Sequence, residues 1–174
     1  MLSEPLSALP TFYKTLMMRD FKPEDVVGDY KEAVLDLYGG LRRRVLYTEI
    51  ETPYPDGKLI VSTTDKNGII THVNKAFVEM SGYTNGELMA SPHSILRHPD
   101  MPSVAFKDLW DTVNRGEHWQ GVVKNLRKDG GYYWVKATVI PNVRQGKVVS
   151  YTSVRRKPSR TKVEDSIRLY ATLK

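Results

Sequence analysis

Glycine-bearing turns divide the second half of this chain so regularly that few folds remain open to it. From Leu59, "LIVSTTD" and "IITHVN" flank the turn "DKNG", where Asn67-Gly68 supplies the positive backbone angles of a tight β-hairpin. Three more strand candidates close the domain: "WQGVVKNLRKDG", "GYYWVKATVIPNVRQG" and "KVVSYTSVRRK", each parted from the next by a glycine turn. Between the two groups lie helical patterns, "KAFVEMSG" ending at Gly82 and "SVAFKDLWDTVNRGE" ending at Gly116. Two strands, a helical middle and three antiparallel strands predict an α+β domain of about 100 residues. The expected boundaries are 58–158, followed by a C-terminal amphipathic helix over 159–174 from "VEDSIRLYATLK".

Residues 1–57 read differently. "KPEDVVGDYKEAVLDLYGG" offers a proline in a first turn, acids after it, apolar residues at 26, 27, 30, 33, 34, 37 and 38, and paired glycines as a stop. That pattern predicts an amphipathic helix, preceded by a shorter one in "LPTFYKTLMMRDF" and followed by a linker at "TPYPDGK". The expectation is an N-terminal helical extension that caps the sheet, pairs with a second copy as a homodimer, or awaits a receptor.

Composition removes several chemistries. The 174 residues include no cysteine, which excludes disulfides, thiolate metal sites and cysteine nucleophiles. No run reaches the roughly 18 apolar residues of a membrane span, and "MLSEPLSALP" lacks a basic region followed by an apolar one, so a soluble cytoplasmic protein is expected. Lys and Arg exceed Asp and Glu by 26 to 20. The excess gathers in "LRRR", "KNLRK" and "RRKPSRTK", which read as solvated faces, and no nucleic-acid partner is expected.

The densest polar stretch is "LRHPDMP", with Arg97, His98 and Asp100 between prolines. A His/Asp pair suits general-base work, yet no serine or threonine stands in a nucleophile turn, and no nicotinamide motif or Gly-rich phosphate loop is present. The histidines at 72, 93, 98 and 118 show no short metal-ligand spacing apart from His93 and His98, five apart around a helix end, which is a poor pattern for a metal. An enzyme is therefore not expected. Phe106 and Trp110 lie four apart on one helical face, as core or as a ligand wall. Asn125 follows valines in a strand, where an inward amide needs a partner. Asn74 is either the cap of the helix from Lys75 or a further ligand contact.

Asp65, Gly68, Ile70, Asn74, Phe77, Gly82, Tyr83 and "ELMA" together resemble the PAS family, in which a five-stranded antiparallel sheet with flanking helices encloses one ligand. "HSILRHPDMP", "AFKDLW", "VVKNLRKDGGYYWVKA" and "GKVVSYTSVR" are similar to the FAD-binding PAS domains of bacterial aerotaxis receptors, from about Leu59 to the C-terminus. The resemblance implies a cytoplasmic sensor of redox or energy state that binds FAD and signals by protein–protein contact to a chemoreceptor-like or other signalling protein, here as a free-standing module. It assigns Arg97, His98, Asp100 and Trp110 to the FAD, where Arg97 and His98 suit the pyrophosphate and Trp110 the adenine. Asn125 matches a flavin-binding asparagine of the related LOV photoreceptors, whose second one is Val135 here and whose photoactive cysteine is missing. Haem b is the alternative cofactor, with His93 or another helix histidine as axial ligand of a gas sensor, and a ligand-free interaction module is the alternative to both.

Overall fold

The computed structural model describes residues 18–37 and 40–174. Strands β3 (Ile60–Asp65), β4 (Ile70–Val73), β5 (Trp119–Leu126), β6 (Tyr132–Arg144) and β7 (Lys147–Arg156) form one sheet in the order β4-β3-β7-β6-β5, antiparallel throughout. Helices α1 (Lys75–Ser81), α2 (Asn85–Leu88) and α3 (Ser103–Asn114) intervene between β4 and β5, and α4 (Arg160–Thr172) follows β7. The expected five strands and their flanking helices are thus present.

Local chemistry accounts for these elements. In the β3–β4 turn the Asp65 carboxylate accepts from Asn67 N at 2.8 Å and Ile69 N at 3.0 Å, while Gly68 takes a φ of +81°. Helix α1 starts at Asn74 and ends at Gly82, whose φ of +76° places it in the left-handed region that stops helices. Thr84 and Glu87 form a capping box on α2. Along β3 the pleat sends Ile60, Ser62 and Thr64 inward, toward a core that includes Phe77, Val113 and Leu88.

Asn74 is a helix cap. Its Oδ1 accepts from Phe77 N and from Val61 N, each at 3.1 Å, and its Nδ2 donates to Leu59 O at 2.8 Å, so one amide joins α1 to β3. Asn74→Ala is expected to cost about 2 kcal/mol, a lost cap plus two orphaned backbone groups, measured as a lower urea midpoint at unchanged slope.

Among the described residues the helix expected over 23–38 is absent. Its place holds a single 3-10 turn at Pro23–Asp25 and strand β1 (Lys31–Leu37), which pairs antiparallel with β2 (Leu41–Tyr47). The apolar spacing from Ala33 to Leu37 satisfies a strand as well as a helix, because positions 33, 35 and 37 alternate. Gly28, at φ +91°, breaks any helical continuity before it. The cluster read as a solvated basic face is instead the body of β2. Arg42 pairs with Asp36, Arg44 pairs with Glu32, and Arg43 points inward, 3% exposed. The described part of the N-terminal extension is therefore a β-hairpin, so a homodimer through a helix there loses its basis. The shorter predicted helix lies, up to Leu16 and Met17, outside the described residues.

The hairpin is fastened to the domain by Arg43. Its guanidinium donates to Arg19 O at 3.0 Å, Ile95 O at 2.7 Å and Tyr83 Oη at 3.1 Å, and lies 4.8 Å from the Phe21 ring centroid. Val45 and Leu46, both fully buried, pack with Leu126. On the other side α4 lies along β5, the edge strand, with Val163 buried and Tyr170 Oη donating to Val122 O at 2.5 Å.

Candidate functional site

A cavity of about 930 Å³ lies between the inner face of the sheet and α3. That size falls within the span of small-molecule sites, roughly 300–1,000 Å³. The register decides which strand residues reach it: positions 123 and 125 of β5, 137 and 139 of β6, and 151, 153 and 155 of β7 line it, every second residue in each.

Five of the eight residues singled out in the sequence meet at this cavity: His93, Arg97, Phe106, Trp110 and Asn125. Phe106 and Trp110 form the α3 wall, with Trp110 edge-on to Tyr151 at 5.5 Å and packed over Gly68. The core and pocket readings of this pair therefore coincide. Arg97 lays its guanidinium on the Phe106 ring at 4.7 Å, and its Nε is buried without a partner. Burial lowers its pKa. The backbone of Arg97 bridges that of Asn125, so the loop extends the free edge of β5 and brings both side chains to the same end. The Asn125 Nδ2 is buried and also unpartnered.

The other three stand apart. Asn74 is occupied as the cap of α1. His98, 1% exposed, faces away from the cavity and packs edge-on between Tyr47 and Tyr132. Its Nδ1 accepts from Asp100 N at 3.0 Å. Burial, reinforced by the charge on Lys124, pulls its pKa down to about 3, so it is neutral. Asp100 bonds Lys124 Nζ at 2.8 Å and Lys174 Nζ at 3.2 Å. Burial pushes its carboxyl up, yet the Lys124 hydrogen bond and charge outweigh this and hold it at about 2. Lys124 Nζ also lies 4.2 Å from the Tyr132 ring centroid. His98 and Asp100 thus brace the loop from behind while Arg97 faces the cavity.

Arg155 is the residue that the sequence reading missed. It was counted within a solvated basic run, but β7 turns it inward to 3% exposure. Its Nη2 donates to Ser62 Oγ at 3.0 Å and to His93 Nε2 at 2.6 Å, while Nη1 is buried without a partner. Burial lowers its pKa to about 10, which still leaves it charged at neutral pH. The same burial, with the charge on Arg155, lowers His93 to about 3. Alternation of Tyr151, Ser153 and Arg155 along the strand was the available signal. A second omission is the hairpin, whose Leu37 and Leu41 reach the cavity wall.

The arrangement therefore offers one buried amide and two guanidiniums with unsatisfied donors, enclosed by aromatic and aliphatic walls. Buried donors without partners are uncommon, and three around one cavity match a flat ligand carrying acceptor atoms and negative charge. Among the described residues no cluster of three metal-binding side chains occurs, and no helix is long and apolar enough to cross a membrane.

Comparison with known proteins agrees with this fold. A family model described as "PAS fold" matches residues 70–155. The aerotaxis receptor of Escherichia coli (strain K12) is 46% identical over 126 residues, 72% of this chain and 25% of the receptor. The biofilm dispersion protein BdlA of Pseudomonas aeruginosa is 34% identical over 95 residues, 51% of this chain and 22% of that protein. The chain spans about a quarter of the length of the curated relatives it matches. In structure it is similar to the light state of the blue-light photoreceptor Aureochrome1 LOV, with a TM-score of 0.56 at 20% identity, covering 65% of this chain and 88% of that one.

Proposed function

We propose, because the chain belongs to the PAS family through residues 70–155, that its cavity binds FAD and that the domain reports redox or energy state to a signalling partner. The observation that carries this reading is the set of unpartnered buried donors on the cavity wall, Asn125 Nδ2, Arg97 Nε and Arg155 Nη1. When bound, a flavin supplies a reversible two-electron couple that gains negative charge on reduction. Asn125 would hold its pyrimidine edge, where donors and acceptors alternate, so either orientation of the amide finds a partner. Arg97, stacked on Phe106, would take the phosphates. Arg155 keeps a fixed positive charge inside the cavity, and such a charge favours the reduced, more negative ligand. His93 donates nothing to this; its Nε2 accepts from Arg155 and holds that guanidinium in place.

That engagement weighs against haem bound through His93 Nε2, the nitrogen that Arg155 occupies. The output would be a change in the population of surface conformations, with a chemotaxis-type partner as reader. An absorption spectrum of the purified protein tests the reading: flavin bands are expected, and a Soret band in their place would overturn it. With flavin present, Asn125→Ala is expected to weaken its binding about tenfold, the loss of one hydrogen-bonding side chain.

A further inference from the structure

We infer that Tyr133 is a positioning residue for the ligand site: its hydroxyl donates to the side-chain oxygen of Asn125, which turns the amide nitrogen toward the cavity and makes the wall present a donor there. This rests on the flavin reading above and deepens it, since Asn125 would then hold a carbonyl of the flavin's pyrimidine edge and leave the imide N–H alone.

Tyr133 and Asn125 are direct cross-strand partners on β6 and β5. Their side chains therefore leave the same face of the sheet, with Cβ atoms about 5 Å apart. Asn125 lines the cavity, whereas Tyr133 is fully buried and takes no part in the wall. Each carries an enclosed polar atom without a hydrogen-bond partner, Nδ2 of Asn125 and Oη of Tyr133. Buried polar groups are ordinarily bonded, so two orphans on paired side chains call for one explanation.

Burial pushes the Tyr133 pKa up to about 12, against the Arg155 charge, the Asn125 amide and the Arg127 charge, so the hydroxyl keeps its proton at neutral pH. That proton decides the arrangement. If Oη accepted from Nδ2, the proton itself would have no acceptor, because the two arginines offer donors alone. Turning the amide exchanges its oxygen and nitrogen within one outline. The Asn125 oxygen then takes the enclosed position and accepts the Tyr133 proton, and the lone pairs of Oη are left facing the cations. The nitrogen points into the cavity, where only an acceptor satisfies it. Phenylalanine at 133 would leave the amide free to present either end.

Titration of the full chain with FAD, with the flavin carbonyl stretch read by infrared spectroscopy, tests this. Tyr133→Phe keeps the ring and removes only the hydroxyl. It is expected to raise the FAD dissociation constant about fivefold and to move the carbonyl band to higher frequency, as a donated hydrogen bond is lost. In an Asn125→Ala background the same change is expected to move the constant less than about twofold, since the hydroxyl acts only through that amide. Asn125→Asp, which can accept from Tyr133 but offers the ligand no donor, is expected to bind FAD more weakly than Asn125→Ala. A Tyr133→Phe effect undiminished in the Asn125→Ala background, or an Asn125→Asp protein that binds as the parent does, would overturn the inference. Urea unfolding without flavin reads the hydroxyl directly: Tyr133→Phe is expected to lower the midpoint, and a midpoint that stays or rises marks an unbonded hydroxyl and refutes the arrangement. A chain that takes up no flavin defeats the flavin reading, while the urea result still decides the hydrogen bond.

Discussion

Lowering the pH from 7 to 5 is expected to cost the protein about 2 kcal/mol through His98 alone. In the folded chain burial first, and then the Lys124 charge, hold His98 near a pKa of about 3, with Asp100 opposing. In the unfolded chain an ordinary histidine titrates near 6.5. As pH falls below 6.5 the unfolded state takes up protons that the folded state refuses, so stability declines through that window and levels off only near pH 3. His93 is shifted the same way, to about 3, and adds to the loss. Its remaining exposed surface faces the cavity, however, and water or ligand there moderates its share. Urea unfolding at pH 5, 6 and 7 measures the slope. His98→Gln, which cannot take up a proton, is expected to flatten it by about 2 kcal/mol across the same range, and parallel slopes for the two proteins would contradict the assignment.

The largest single-residue effect is expected at Arg43. Its fork holds Arg19 O, Ile95 O and Tyr83 Oη at once, with the guanidinium over Phe21 and almost no exposure. Truncation to alanine leaves the Ile95 carbonyl and the Tyr83 hydroxyl without that donor and opens a void beneath β2. At about 1–3 kcal/mol for each stranded buried group, the loss is about 4 kcal/mol in all. For a chain of this size that is a fall in Tm on the order of 10 °C. Lysine is no substitute, because one ammonium does not span a planar fork of donors. Thermal melting checks the magnitude, and faster proteolytic cleavage near residues 36–42 in Arg43→Ala checks that the hairpin is what loosens. A melting curve that does not move would show that the three bonds contribute nothing net.

The sheet was legible in the sequence because its signals were local. Asp65, Asn67 and Gly68 specify a turn by their own hydrogen bonds and backbone angle, and glycines at 130, 131 and 146 mark the later turns. The hairpin was not legible, because apolar residues at 30, 33, 34 and 37 serve a helix and a strand alike; a distant contact, Arg43 on Ile95, favours the strand. The candidate site divided along a similar line. Residue type led to Arg97, Phe106, Trp110 and Asn125, all on the cavity wall. Facing direction was harder. Arg97 and His98 are neighbours that point to opposite sides of one loop, and Arg155 turns inward from a run of basic residues whose composition gives no sign of it.

Strand β5 carries one more consequence. Asn125 faces the cavity, while Lys124, joined to it by a single peptide plane, reaches out to Asp100, which also holds Lys174 just beyond α4. Two residues earlier the Val122 carbonyl receives the Tyr170 hydroxyl of the same helix. Adjacent side chains of a strand face opposite ways, so β5 presents the Asn125 amide to the cavity and the Lys124 ammonium to the loop behind it. One strand therefore touches the cavity through Asn125 and the C-terminal helix through the Val122 carbonyl, four residues of β5 joining the two.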